Sequence, residues 1–278
     1  MNYSQLCPVC NKNIGLRPFK WGNYDLIHCD ICELDYCGEM IEKEIGGDSS
    51  PVNLLGIEMM SDVFHRTKEI AKVFSIKRKN IYEKLLNRNC SEILEVGCGP
   101  GVFYKPWTEL NVNWTGIDIN PHWVQFGKKN GVPISNKTMD SINNKFDVIT
   151  AHQVIEHVED PIKFMENIKL LLKPGGLIHL ELPNQYSLSA RLRKISYKIS
   201  HDYGFVQPPM HLRAYTKKTI KYLFESFDLK SQILLVCGNT DKIWGQVREY
   251  NLPQSLFYSF SGKLGMGSLL IGIAQLNS

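Results

Sequence analysis

The chain has 278 residues, 43% of them hydrophobic, and a formal net charge of +4. That length suits one α/β domain with a small appendage, and the hydrophobic share excludes a largely disordered chain. So mild a charge names no partner. No leader of basic then apolar residues and no apolar run of the ~20 residues needed to span a bilayer is found, so a cytoplasmic location is expected.

Residues 1–40 hold five of the eight cysteines, four of them as the pairs Cys7-Pro-Val-Cys10 and Cys29-Asp-Ile-Cys32 with 18 residues between. This spacing is that of a zinc ribbon, in which two tight knuckles each present two thiolates and together close a tetrahedral structural site. So small a module cannot bury enough apolar surface to fold alone, and the metal supplies folding free energy. His28 and Cys37 are substitute ligands, whereas Cys90, Cys98 and Cys237 read as packed thiols. Lys12, Arg17 and Lys20 are outnumbered by Asp25, Asp30, Glu33, Asp35 and Glu39. A net acidic ribbon opposes phosphate binding and suits docking or covering a substrate.

A break at residues 46–50 separates the ribbon (1–45) from a helical linker or lid (46–90), where apolar residues recur at helical spacing from Gly56 to Arg88. From residue 91 to the end, strands alternate with helices. The predicted strands are Ile93–Val96, Trp114–Ile119 (which holds Asp118), Val132–Ile134, Phe146–Ala151 and Leu177–Leu182, the last entered by the turn Lys173-Pro-Gly-Gly176. Pro161–Leu172, announced by Asp160, is a predicted helix. Ser187–Ser200 is another, inside an insertion at about 185–215, with Arg191, Arg193, Lys194 and Lys198 on its polar face. Ile233–Val236 and Leu269–Ala274 are expected as two strands joined without a helix. The order predicts an α/β fold: a seven-stranded, Rossmann-like doubly wound sheet whose last strand is antiparallel, with the zinc ribbon appended.

The segment Glu95-Val-Gly97-Cys-Gly99-Pro-Gly101 follows a strand and opens a helix. Glycines permit the tight turn and close approach of a ligand, and amides at the helix start favour anionic or polar groups. Asp118 closes the next strand, where this fold places an acid on a ribose diol. Loop, strand and acid together point to a nucleoside-containing ligand.

The spacing G-x-G-x-G of Gly97, Gly99 and Gly101 resembles the first motif of class I S-adenosylmethionine-dependent methyltransferases, and Thr115-Gly-Ile-Asp118 their second-strand motif. Phe146 to His157, Leu171 to Gly176 and Leu180-Glu-Leu-Pro-Asn184 resemble the later motifs, in family order across residues 91–184. The nearest subgroup is the ubiquinone-biosynthesis-like methyltransferases. The resemblance implies S-adenosylmethionine as cofactor, with Gly97, Gly99 and Gly101 passing its methionine moiety, Glu95 fixing the loop or meeting the amino group, and Asp118 holding the ribose. It places Ile119, Met139 and Asp140 beside the adenine, and His152 and Gln153 beneath the sulfonium. Catalysis would then rest on aligning a nucleophile with the methyl group and excluding water.

His211 and His152 are the candidate catalytic residues, because imidazole titrates near neutral pH. His211 stands in a segment where related enzymes approach the substrate. His157 and Glu156 suit a structural role equally well, and Tyr203 and Tyr215 are weaker candidates. The expected acceptor is a small molecule, a metabolite, sugar or lipid intermediate, methylated first of all at oxygen. The basic helix at 187–200 suits a phosphorylated or acidic acceptor or an anionic membrane surface, or is simply a solvated face. Two other readings stand beside this one: a ribosomal-RNA base methyltransferase with a zinc-binding N-terminal segment, which the acidic ribbon disfavours, and a non-catalytic partner-binding protein, which the intact glycine loop and Asp118 disfavour. The sequence leaves oligomeric state open.

Overall fold

The computed structural model describes residues 6–21, 24–38, 51–200, 206, 211–244 and 251–277. Strands β1 (Leu16–Trp21), β2 (Tyr24–Cys29) and β3 (Asp35–Cys37) pair antiparallel. Helix α1 (Pro51–Leu86) follows and is longer than its apolar repeat predicts. Then come β4 (Glu92–Val96), α2 (Tyr104–Glu109), β5 (Asn113–Ile117), α3 (Pro121–Lys129), β6 (Ile134–Ser135), β7 (Phe146–His152), α4 (Pro161–Leu171) and β8 (Leu172–Pro183). The chain continues through α5 (Leu188–Ser200), β9 (Arg213–Ala214), α6 (Lys217–Ser226), β10 (Leu229–Cys237), α7 (Leu252–Lys263) and β11 (Leu269–Leu276).

Local chemistry sets several of these boundaries. Asp160 accepts the amides of Ile162 and Lys163 and is followed by Pro161, a pre-shaped first residue, so α4 starts there. Thr216 and Thr219 cap α6 reciprocally, and Asn120 accepts the amide of His122 at the start of α3. Short crossovers through helices then force parallel pairing of β5, β4, β7 and β8. The seven-stranded sheet has the order β10-β11-β8-β7-β4-β5-β6, with β11 antiparallel to both β8 and β10. This is the predicted doubly wound sheet.

The two faces of that sheet bury different sets. Ile93, Trp114, Val148 and Leu177 pack with Phe74, Tyr82, Trp107 and Phe126 from α1, α2 and α3. Leu94, Ile149, Ile178 and Leu180 pack with Phe164, Met165, Ile220 and Phe224 from α4 and α6. Asp147 at the lower end of β7 is fully buried, and the amides of Ser91 and Glu92 and the side chains of Arg88 and Lys173 donate to it. Burial opposes its charge, yet these donors hold the carboxyl below the usual range. It thereby ties the end of α1 to the sheet.

The ribbon is continuous with the rest of the structure. Strand β3 pairs with β9, Asp35 opposite Ala214 and Tyr36 opposite Arg213, giving a four-stranded sheet β1-β2-β3-β9. Thr219 donates to the carbonyl of Cys32 at 2.7 Å, and Gln185 donates to Asp35 at 2.7 Å. Leu34 and Tyr36 share a core with Tyr215 and Ile220.

Three expectations are corrected. The last two strands are not joined by helix-free chain: α7 lies between β10 and β11, its start set by Asn251 and Gln254 capping each other ahead of Pro253. Its Leu252, Leu256 and Phe260 recur four residues apart, a helical spacing that the expectation of a loop passed over. Strand β5 ends at Ile117, so Asp118 and exposed Ile119 lie beyond it. The weak strand at 132–134 reduces to Ile134–Ser135, because only these residues reach β5. Among the described residues no helix is long and apolar enough to cross a membrane.

Candidate active site and cysteine cluster

Past the end of β4 the chain turns sharply: Gly97, Gly99 and Gly101 have φ of +66°, +54° and +74°. These left-handed conformations strain any other residue. At Gly97 a Cβ would also stand 2.5 Å from Cγ2 of Val154. The amides of Gly97 and Cys98 both donate to the carbonyl of Ile117, that of Gly99 to Oδ2 of Asp118 at 2.8 Å, and that of Gly101 to Cys98. The sequence suggested open amides for an anion. That expectation concerns the start of the following helix; the four loop amides are spent on the protein itself.

Asp118 is buried at the mouth of the loop, with Oδ1 accepting the amide of Asn120 at 2.8 Å and Oδ2 that of Gly99. Burial raises its pKa, while the two amides lower it. Each oxygen keeps further lone pairs for a diol. Glu95, on the preceding strand, accepts the indole N–H of Trp114 at 2.7 Å. Its burial pushes its carboxyl up to about 7, the Trp114 bond opposing. A cationic group arriving beside it would find a carboxylate poised to ionise.

A crevice of about 300 Å³ opens beside the loop. Val96, Gly97, Ile117, Asp118 and Ile119 line one side, and Thr138, Met139 and Asp140 the next. The structure therefore brings together Gly97, Asp118, Ile119, Met139 and Asp140 as the sequence implied. Val154, Val158, Asp160, Lys163, Phe164 and Asn167 complete the wall, and sequence reading missed these. Three of them, Lys163, Phe164 and Asn167, sit on α4, which meets the loop only through the fold. Gly99 and Gly101 belong to the loop without lining the crevice.

On the opposite face of the sheet, under α1, lies a buried polar cluster. Arg78 donates to Glu181 at 2.7 Å and to the carbonyl of Ile243, its guanidinium lying over Phe74 and Phe103. Tyr82 Oη and His179 Nδ1 are 2.6 Å apart. His152 ends β7 with its ring 4.9 Å from that of His179 and 6.1 Å from that of Phe103. Burial pushes the His152 imidazole down to about 3, so it is neutral near pH 7. Gln153 follows at φ +56°, its amide donating to the Glu181 carbonyl, which turns the chain out of the sheet. The polar alternation of His179 and Glu181 within an apolar strand was the signal available for them.

His211 is placed elsewhere, its ring 4.7 Å from that of His157 on the turn after β7. The amide of Leu212 donates to the carbonyl of Glu156. Neither His211 nor His157 lines the crevice. Tyr215 is buried with its hydroxyl on the Ile155 carbonyl, and Tyr203 lies outside the described residues.

In the ribbon, Cys7, Cys10, Cys29 and Cys32 are buried and their sulfurs all lie within 4.8 Å of one another. Sγ of Cys7 and Cys32 are 3.5 Å apart, and those of Cys10 and Cys29 3.6 Å. A tetrahedron with Zn–S near 2.3 Å separates its sulfurs by ~3.8 Å, so the set fits a structural zinc. His28 and Cys37 are not part of this set of four sulfurs.

A doubly wound sheet carrying a three-glycine turn, an acid clamped to it and an apolar crevice defines the S-adenosylmethionine-dependent methyltransferase class. A methyltransferase domain family matches residues 65–232, more than half of the chain, and the chain belongs to that family. It is 26% identical over 194 residues to the ubiquinone biosynthesis O-methyltransferase of Nitrosospira multiformis, covering 61% of this chain and 81% of that one. It is 32% identical over 136 residues to the enzyme of the same name from Colwellia psychrerythraea, covering 42% of this chain and 55% of that one. The chain spans about half the length of several such relatives, including the mitochondrial enzyme of Schizosaccharomyces pombe at 46%. Among solved structures, a plantazolicin methyltransferase in complex with SAH superposes with a TM-score of 0.54 over 83% of this chain and 92% of that one. At 16% identity, that likeness concerns the fold.

Proposed function

We propose that the protein transfers the methyl group of S-adenosylmethionine to a small-molecule acceptor, at oxygen, in the reducing cytoplasm. The observation that carries this is the clamp of Asp118 between the amides of Gly99 and Asn120 at the lip of the crevice. Its carboxylate holds the ribose hydroxyls, Ile119, Met139 and Asp140 flank the adenine, and Gly97 and Gly99 let the methionine moiety pass close to the backbone. Glu95 fixes the loop and faces the ammonium group from below. The relatives named as ubiquinone biosynthesis O-methyltransferases support oxygen as the methylated atom.

His211 is the proposed base, and His152 and Gln153 border the acceptor end of the site. The chain divides into the ribbon (1–45), a helical cover (46–90) and the catalytic domain (91–278). Cys7, Cys10, Cys29 and Cys32 hold a structural zinc that stiffens the ribbon against β9 and α6. Basic Arg191 and Arg193 on α5 favour a phosphorylated or acidic acceptor over a neutral one. An acidic ribbon docked edge-on to β9 leaves little reason to favour RNA.

Incubation with tritiated S-adenosylmethionine and a fractionated extract tests the assignment. Label is expected in a small-molecule fraction, with turnover lost in His211→Ala while cofactor binding is spared. Label retained on RNA would overturn the acceptor class.

A further inference from the structure

The pairing of β7 with β8 sets His152 opposite Glu181 and Thr150 opposite His179. Residues paired across neighbouring strands share a face, and residues two apart along a strand do too, so His152, His179 and Glu181 all point toward α1. One ligand atom from each lies within 4.8 Å of the others. His179 is fully buried, with its Nε2 3.3 Å from Oε1 of Glu181 but outside hydrogen-bond geometry, and the buried Nε2 of His152 has no hydrogen-bond partner. A buried polar nitrogen left unmatched carries a desolvation penalty that a ligand shared by both rings would remove.

The surroundings select the ligand. Tyr82 meets Nδ1 of His179 at 2.6 Å and can accept its proton, the tautomer in which the lone pair of Nε2 and Oε1 of Glu181, 3.3 Å apart, face one another as two donors to a shared cation. Arg78 donates to Oε1 of Glu181. Metal-binding imidazoles and carboxylates characteristically carry such outer hydrogen bonds, which fix tautomer and orientation. Two imidazoles and one carboxylate form a donor set for a divalent transition metal that leaves coordination positions open.

We propose that His152, His179 and Glu181 bind a divalent ion of the zinc, iron(II) or manganese(II) class, distinct from the ribbon zinc, and that its open positions receive the acceptor's oxygen. The charges of Glu181 and Arg78 offset each other, so the ion's two positive charges call for an anionic ligand. A hydroxyl acceptor satisfies this by passing its proton to the base proposed above, His211, and ligating as the alkoxide or phenolate. His152 packs on Phe103, just past the glycine turn, so the ion site approaches the loop from the face of the sheet opposite the crevice. The role of that oxygen rests on the O-methylation proposed above, whereas the ion site does not.

Cobalt(II) titration of the full-length protein, stripped of metal under reducing conditions, tests this. Four thiolates give intense sulfur-to-cobalt absorption, while a nitrogen and oxygen site gives only weak visible bands. About two cobalt per chain are expected, the second with weak bands that azide shifts. His179→Ala should remove the second ion and keep the thiolate band, which doubles as the check on folding. His152→Asn, a gentler change, should weaken the second ion roughly 10- to 100-fold. One cobalt per chain in the unaltered protein, or a second ion that both variants retain, overturns the proposal. Calorimetry with S-adenosylhomocysteine on the same samples separates the two claims: if it binds while the second ion is absent, only the metal site falls.

Discussion

Asp118 and Gly99 brace each other: Oδ2 of the aspartate accepts the glycine amide at 2.8 Å, across 19 residues of chain. The acid that would grip the ribose therefore also holds the turn over which the cofactor lies, and the two functions fail together. Replacing Asp118 by Ala should weaken S-adenosylhomocysteine roughly 10- to 100-fold, because charge-assisted hydrogen bonds contribute about 1.5–3 kcal/mol. Calorimetry reads this directly, and an unchanged Kd would remove Asp118 from the site.

Gly97→Ala meets two obstacles, a φ of +66° and Cγ2 of Val154 at 2.5 Å from the new methyl group. A loss of about 1–3 kcal/mol in stability is expected, with weaker cofactor binding. Adding Val154→Ala removes the collision and leaves the backbone strain, so the double variant should recover part of the loss. Recovery of all of it would show that φ at this position is immaterial; recovery of none would discount the contact.

Glu95 has its carboxyl raised to about 7 by burial, above its ordinary value of 4.5. Between those values the folded chain holds a proton that the unfolded chain has released. Stability should therefore fall as pH rises from about 4.5 through 7, by up to roughly 3 kcal/mol from this group. Glu95→Gln still accepts the Trp114 indole and should lack that slope. Denaturant titrations at pH 5 and pH 8 compare the two proteins, and parallel pH profiles would refute the burial effect.

Chelating the ribbon metal, or changing Cys7 and Cys10 together to Ser, should disturb more than the ribbon. Strand β3 carries β9, and Thr219 at the start of α6 is bonded to Cys32. Faster hydrogen exchange is expected at Arg213, Ala214 and the first turn of α6, together with a lower Tm. Protection unchanged there would mean that the ribbon folds without bearing on the catalytic domain.

Periodicity and short-range chemistry were enough to order the strands and the glycine turn. Gly97 through Gly101 announce a turn by composition, Asp160-Pro161 a helix start, and Cys7, Cys10, Cys29 and Cys32 a tetrahedral sulfur set, because each effect acts within a few residues. Helix α7 was passed over although Leu252, Leu256 and Phe260 recur four apart and Asn251 and Pro253 mark its start.

What the sequence by itself determined is the doubly wound plan, the place of Asp118 beside the loop and the sulfur ligands: all follow from spacing along the chain and from strand order. Only the tertiary structure decided that the loop amides are consumed by Ile117 and Asp118, that α4 walls the crevice, that β9 stitches the ribbon to the core, and that Arg78 and Tyr82 reach His179 and Glu181 across about a hundred residues. Hydrogen bonds and burial between distant segments depend on which faces pack together, and packing is a property of the folded whole.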